Sequence, residues 1–380
     1  MLFSDIIGQE HIKKHLVHSA DNGRIPHAQL FVGPEGCGLL SMAIAYAQYV
    51  LCKNTDGENN NGNSACNIKF NAYSHPDVHF SYPVSSTDKV KSHPVSKHFL
   101  GEWLEFLKTE PYGNLFDWYK RIGIEKKQGL ISVDESTEII KSLSLKAYEG
   151  GYKVAIIWMA EKMNDACANK LLKLIEEPPG DTLILLLAED VEQIIGTIRS
   201  RCQILHFPAL GEQAITDALI TRGTNEAEAL KIAHRSNGNF NKALDLVNQD
   251  SEDTVFEEWF VFWVRTAFRA KGNKTVVQDL TAWSDEISKT GRETQKKFLE
   301  YCINVFRQAL MLNYNAGSLS YMEFESGFDL HKFAPFVHGN NIQAIFKELE
   351  DASYHIQRNA NAKIVFTDLS IKLTRFLHMK

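Results

Sequence analysis

No stretch of this sequence is apolar for long enough to cross a bilayer, which takes about 20 consecutive residues; polar side chains interrupt every run well before that. A cysteine framework is missing as well. The six cysteines are scattered at positions 37, 52, 66, 167, 202 and 302, a spacing read most simply as reduced thiols. The opening residues, MLFSDIIGQE, lack the basic-then-apolar order of a secretory signal. These absences set the expectation of a cytoplasmic protein without a membrane partner. Positive charge is not in excess either: 41 lysines and arginines stand against 47 aspartates and glutamates, a net charge of −6. Nucleic acid would therefore have to be met by a local basic patch rather than by the whole surface.

What is present is an ordinary globular balance, 44% hydrophobic and 23% charged. The 380 residues exceed one core and predict two or three domains. Apolar residues at helical spacing predict a helix over Ile7–Ala20, followed by a strand at Ala28–Val32 and a helix at Leu39–Leu51. Lys53 to Ser64 is rich in asparagine and glycine and predicts a mobile surface loop. Further strands are expected at Val78–Tyr82, Lys153–Trp158, Thr182–Leu187 and Gln203–Phe207, and helices at Phe99–Leu107, Val133–Leu143 and Met163–Ile175. Strands alternating with helices, and mostly without period-2 alternation, predict a parallel α/β sheet covered on both faces. Three short helices are expected within Gly211–Val247, and beyond Ser251 the chain reads as helical and aromatic, including a long Asn341–Leu377 stretch.

The glycine turn after the first strand, Gly33-Pro34-Glu35-Gly36-Cys37-Gly38, has the strand–loop–helix context of a phosphate loop. An active loop continues with lysine and then serine or threonine, which meet the phosphates and magnesium. Leu39 and Leu40 occupy those places here and can do neither. Backbone amides around Gly33, Gly36 and Gly38 remain as weak anion donors, or the segment is simply a tight turn. The strand ending at Trp158-Met159 likewise brings no carboxylate until Glu161, where nucleotide hydrolases place a magnesium ligand. By contrast, Thr197-Ile198-Arg199-Ser200-Arg201-Cys202 puts an arginine at the mouth of a strand. Its planar fork matches phosphate oxygens; alternatively it caps a helix or pairs with Glu189 or Asp190.

Four segments together resemble the bacterial clamp-loader subunits, AAA+ proteins of the DNA polymerase III holoenzyme: Phe3–Gln9 (FSDIIGQ), His27–Pro34 (HAQLFVGP), Asn169–Pro179 (NKLLKLIEEPP) and Thr197–Cys202. The resemblance covers about the first 250 residues in order. It implies an α/β AAA+ domain over 1–208, a small helical lid domain over 209–250 and an all-α collar that mediates oligomerisation over 251–380. The family's ATPase subunits carry an intact phosphate loop, an Asp-Glu pair where Trp158-Met159 stand, and a sensor arginine where Gly238-Asn239-Phe240-Asn241 has asparagine. The delta-prime group resembles the combination seen here, a degenerate loop with a complete Ser200-Arg201-Cys202.

That likeness implies no ATP turnover by the chain alone, and polymerase activity only through the complex. Arg201 would be a finger offered in trans to ATP bound by a neighbouring subunit, with Ser200 and Cys202 in support. Implied partners are gamma/tau-type and delta-type subunits and, through the complex, the sliding clamp and primed DNA at the bacterial replisome. An ATP-hydrolysing gamma/tau-type subunit, a purely structural scaffold and an unrelated binder of phosphorylated small molecules are the alternatives.

Family members often hold zinc with four cysteines. This chain keeps Cys52 and Cys66, with His75 or His79 as possible additions, and two thiolates do not close a tetrahedral site; no cofactor and no zinc are expected. Lys13, Lys14, His15, His18 and Lys126-Lys127 read as a solvated face. Phe256, Trp259, Phe260, Phe262 and Trp263 read as helix core rather than a base-stacking platform.

Overall fold

The computed structural model describes residues 1–52, 64–248, 253–271, 273–314, 324 and 326–379. Five strands, β1 (Ala28–Val32), β2 (Val78–Ser81), β3 (Lys153–Trp158), β4 (Thr182–Ala188) and β5 (Gln203–His206), pair in parallel in the order β2-β3-β4-β1-β5. β1, β3 and β4 bury every residue. This is why they read as mostly apolar segments without alternation: helices cover both faces.

Phe31, Ile156 and Leu185 face the core shared with α1 (Glu10–Asp21), α2 (Leu39–Cys52), α3 (Ser64–Asn71), α4 (Leu100–Thr109) and α5 (Leu115–Arg121). Leu30, Ile157 and Leu186, one residue out of phase, face α6 (Val133–Ser144), α7 (Asp165–Glu176) and α8 (Gly196–Arg199). From β1 the chain runs to the far edge at β2, steps back through β3 and β4, and passes β1 to reach β5. The carboxyl end of β1, where the order reverses, is where an open parallel sheet leaves a crevice.

Several boundaries move for local reasons. α1 starts at Glu10 rather than Ile7 because Gly8 and Gln9 both take positive φ. α7 starts at Asp165 because the Asn164 side chain accepts the Cys167 amide at 2.8 Å and caps it there. Besides the one-turn α8, two helices were not foreseen. α5 lies inside a span without apolar period, and is started by a capping box in which Asn114 and Asp117 exchange bonds at 3.0 and 2.9 Å. α3 opens at Ser64, the last residue of the expected loop; residues 53–63 lie outside the described residues.

The contacts divide the chain into two compact units, Met1–Ile124 with Gln128–Val247, and Glu125–Lys127 with Asn248–Lys380. In the first, α9 (Glu212–Thr221), α10 (Glu226–Ser236) and α11 (Phe240–Asn248) have a small core of their own around Ile215, Leu219, Ala229, Ile232 and Phe240. Tyr112, from the α4–α5 connector, is buried in that core.

The second unit is helical: α12 (Asp253–Arg269), α13 (Lys274–Ser288), α14 (Arg292–Asn313), α15 (Leu330–Phe333), α16 (Ile342–Gln357) and α17 (Ala362–Phe376). The Asn341–Leu377 stretch is two helices, divided at Arg358–Asn361 where Asn359 has a φ of 67°. Phe256, Phe260 and Trp263 are buried and Trp259 packs against them, but Phe262 is 45% exposed. Two positions from Phe260 is about 200° around a helix, so α12 keeps a solvent face. Among the described residues no helix is long and apolar enough to cross a membrane.

Candidate functional site

The glycine loop follows β1 at the carboxyl edge of the sheet, and Leu39 and Leu40 open α2 directly after it. Leu40 is 5% exposed, so its side chain belongs to the core and not to a ligand face. Three glycines are required by close approaches. A Cβ on Gly33 would lie 2.7 Å from that of Phe207, one on Gly36 1.9 Å from Asn239 Oδ1, and one on Gly38 (φ +92°) 2.9 Å from the Tyr112 ring. Two of these contacts come from elements that close over the loop, namely the α4–α5 connector and the start of α11.

Tyr112 is held from several sides. Its hydroxyl accepts the Ile7 amide at 2.9 Å, and its ring meets Phe240 edge-on at 5.0 Å. Burial pushes its phenol up to about 12. Beside it, Asn114 and Asn239 both donate to Glu35 Oε1 at 3.0 Å, and the Ser41 hydroxyl donates to the Pro111 carbonyl at 2.7 Å. The Phe240 amide donates to the Gly36 carbonyl at 3.2 Å. What remains beside the loop is a cavity of ≈ 30 Å³ lined by Glu35, Gly38, Tyr112, Trp158 and Glu189 among others, room for about two water molecules.

At the end of β3, Trp158 and Met159 are each 4% exposed, and Trp158 packs on Trp103 and Phe106. Glu161 turns back to accept the Glu189 amide at 3.2 Å. Asn241, in the position read as that of the sensor arginine, donates to Asp117 at 2.8 Å and is buried. The sequence-selected residues of the loop, of β3 and of α11 therefore do come together. The residue that links them, Tyr112, carried no motif; the Asn114–Asp117 capping spacing after a Pro-Tyr-Gly turn was the signal available.

Arg201 is elsewhere. It lies in the turn between α8 and β5, where its side chain is 35% exposed. Its Nε donates to Glu176 at the end of α7, and Nη1 donates to the Thr197 carbonyl at 2.9 Å with Ser200 Oγ at 3.4 Å. The carboxylate it meets is thus that of Glu176, not of Glu189 or Asp190. The Ser200 hydroxyl donates to the Thr197 carbonyl at 3.1 Å within the turn, and burial pushes the Cys202 thiol up to about 12. In register, Gln203 opposes Gln29 and His206 opposes Val32. Arg201 therefore precedes the amino end of β5 while Gly33 follows the carboxyl end of β1. Six residue positions separate them, about 20 Å along the strands.

The thiol reading needs correction at one pair. Cys52, at the end of α2, and Cys66, in α3, form a disulfide, while Cys37, Cys167, Cys202 and Cys302 are free. The unforeseen helix α3 packs on α2 and brings the two cysteines together. Near them, donor atoms of Cys66, His75 and Glu149 lie within 4.8 Å of one another. They do not fit the family's four-cysteine zinc. The two sulfurs are joined, His75 Nδ1 accepts the Asp77 amide at 3.2 Å, and His75 Nε2 faces Glu149 at 3.2 Å. Glu149 is also paired with the Lys69 ammonium, whose positive charge opposes a metal cation there. Of the basic residues near the first helix, Lys13 is engaged with the Ile6 carbonyl and Glu10 at 2.7 Å, and Lys14, His15 and His18 are exposed.

The sequence profile of the family described as DNA polymerase III, delta subunit, matches residues 8–211. The chain belongs to that family. Its curated relatives include the DNA polymerase III subunit delta′ of Bacillus subtilis (strain 168), 29% identical over 242 residues, covering 64% of this chain and 60% of the relative. The delta′ subunit of Escherichia coli (strain K12) is 28% identical over 237 residues, covering 62% and 59%. The tau/gamma subunit of Haemophilus influenzae is 26% identical over 253 residues, covering 65% and 30%. The chain thus spans less than two thirds of the length of the curated relatives it matches. Among solved structures, a DNA polymerase III gamma subunit-related protein from Thermotoga maritima is 13% identical, with a TM-score of 0.39, covering 96% of this chain and 99% of that one. The resemblance carried by Phe3–Gln9, His27–Pro34, Asn169–Pro179 and Thr197–Cys202 is borne out. In this DNA polymerase III family member, the parallel sheet carries helices on both faces and is followed by helices α9–α11 and an all-α unit.

Proposed function

We propose that this chain is a delta-prime-type, cytoplasmic clamp-loader subunit that does not turn over ATP itself and that presents Arg201 to nucleotide held by a neighbouring subunit. The observation that carries the reading is the placement of the two features at opposite ends of the neighbouring strands β1 and β5. A finger must approach the transferred phosphoryl group to hydrogen-bond distance. At about 20 Å along the strands, Arg201 is out of reach of its own glycine loop, and any phosphate it serves belongs to another chain.

The state of the loop supports the same division of labour. Leu39 and Leu40 offer neither charge nor a magnesium ligand, and the Tyr112–Asn114 connector with Asn239 takes up the space above the glycines. The space left beside the loop, ≈ 30 Å³, is room for about two water molecules. The partners are gamma/tau-type and delta-type subunits, with the sliding clamp and primed DNA engaged through the complex. No metal is assigned to Cys52, Cys66, His75 and Glu149.

Phosphate release tests the reading. The purified chain with Mg-ATP should give none above background, while the reconstituted loader containing it should turn over ATP when clamp and primed DNA are added. Steady hydrolysis by the chain alone would replace this reading with that of an ATPase subunit.

A further inference from the structure

Arg201 is exposed, yet it is not left to wander. An arginine has many rotamers to lose when it is fixed, and a finger that had to be ordered at each encounter would lose rate to that entropy. Two groups of this chain already hold the guanidinium: the Glu176 carboxylate takes Nε–H, and the Thr197 carbonyl takes one N–H of Nη1 at 2.9 Å. A guanidinium has five N–H donors. Nη2 has no hydrogen-bond partner among the described residues, so its donors remain for a further acceptor. Glu176 is itself fixed in place as the last residue of α7, ahead of Pro178-Pro179, and α7 packs against the sheet through Leu171, Leu174 and Ile175.

We infer that Glu176 is a positioning residue for Arg201: it holds the guanidinium by its Nε edge so that the Nη2 edge is presented, already oriented, to a phosphate of the neighbouring subunit. This rests on the proposed role of Arg201. The opposite reading of the same contact is that Glu176 occupies the arginine and must be displaced by phosphate. The two differ in sign. Loss of a cradle lowers turnover, whereas loss of a competitor raises it. An exposed pair of this kind adds little to folding stability, so removing it separates positioning from folding.

The test is the clamp- and DNA-stimulated ATPase of the reconstituted loader carrying Glu176→Ala, Glu176→Asp, Arg201→Ala or the Glu176→Ala/Arg201→Ala pair. Misplacing a reacting group by a fraction of a helical turn costs roughly tenfold to a hundredfold. Glu176→Ala should therefore lower kcat by about tenfold or more with KM for ATP unchanged, and Glu176→Asp should recover part of it. Adding Glu176→Ala to Arg201→Ala should change nothing further, since the two act as one unit. Unchanged or faster turnover with Glu176→Ala, or a further loss in the double variant, would overturn the assignment while leaving Arg201's role standing. Unchanged turnover with Arg201→Ala would overturn both.

Discussion

The hydroxyl of Tyr112 accepts the backbone amide of Ile7 at 2.9 Å, although the two residues are 105 positions apart in sequence. Through that bond, and through its ring packed on Gly38 and Phe240, one side chain ties the N-terminal segment, the glycine loop and helix α11 together. Tyr112, Asn114 and Asn239 pack over the glycine loop at the carboxyl end of β1.

Tyr112→Phe removes one part-buried hydrogen bond and leaves the Ile7 amide without it, at a cost of about 1 kcal/mol. Tyr112→Ala also empties a packed site, which costs about 3–5 kcal/mol. Neither should confer nucleotide binding, because Leu39 and Leu40 remain. Chemical denaturation gives the stability change, and equilibrium dialysis with labelled ATP checks that the opened loop stays idle.

The cysteine pair makes a second expectation. Unfolded without reductant, the protein should show four reactive thiols, and six after reduction. Replacing Cys52 and Cys66 by serine should cost about 3 kcal/mol for a closed loop of this size, while a zinc chelator should leave the melting temperature unchanged. Six thiols without reductant, together with a chelator-dependent melt, would contradict the disulfide and point to a metal instead.

Stability should fall in mild acid. Burial holds the His75 and His79 imidazoles below their ordinary 6.5, which disfavours their charged forms in the fold. The unfolded chain then binds more protons. Stability is full above 6.5 and is lost as the pH falls through the lower, folded values, by up to about 1.4 kcal/mol per pH unit for each group. Denaturant midpoints measured from pH 8 to pH 5 check the sign, and His75→Gln should flatten part of the slope.

In the helical unit, Phe260→Ala should cost about 3–5 kcal/mol and Phe262→Ala within about 0.5 kcal/mol, because the first is fully buried and the second 45% exposed. Equal losses would mean that α12 has no solvent face in solution.

The reach of the sequence follows from how local each signal is. β1, β3 and β4 were legible as mostly apolar segments without alternation because the sheet is covered on both sides, and the glycine turn was legible because its φ and its close contacts admit nothing larger. Tyr112 was not. Its importance arises from contacts 74 residues back, at Gly38, and 128 residues on, at Phe240, which no window contains. The partner of Arg201 was missed for a similar reason. Glu189 and Asp190 are nearer in sequence, but α7 delivers Glu176 to the turn from 25 residues away. The disulfide followed from α3, whose sequence has almost no helical period to announce it.

The central claim is that Arg201 acts on a neighbour's nucleotide. Its most direct test is the stimulated ATPase of the reconstituted loader with Arg201→Ala, read beside size-exclusion profiles showing that the complex still assembles. The expected result is a fall of about a thousandfold or more in turnover, with Arg201→Lys recovering little because a point charge does not replace the planar fork. Undiminished turnover in a fully assembled complex would contradict the account.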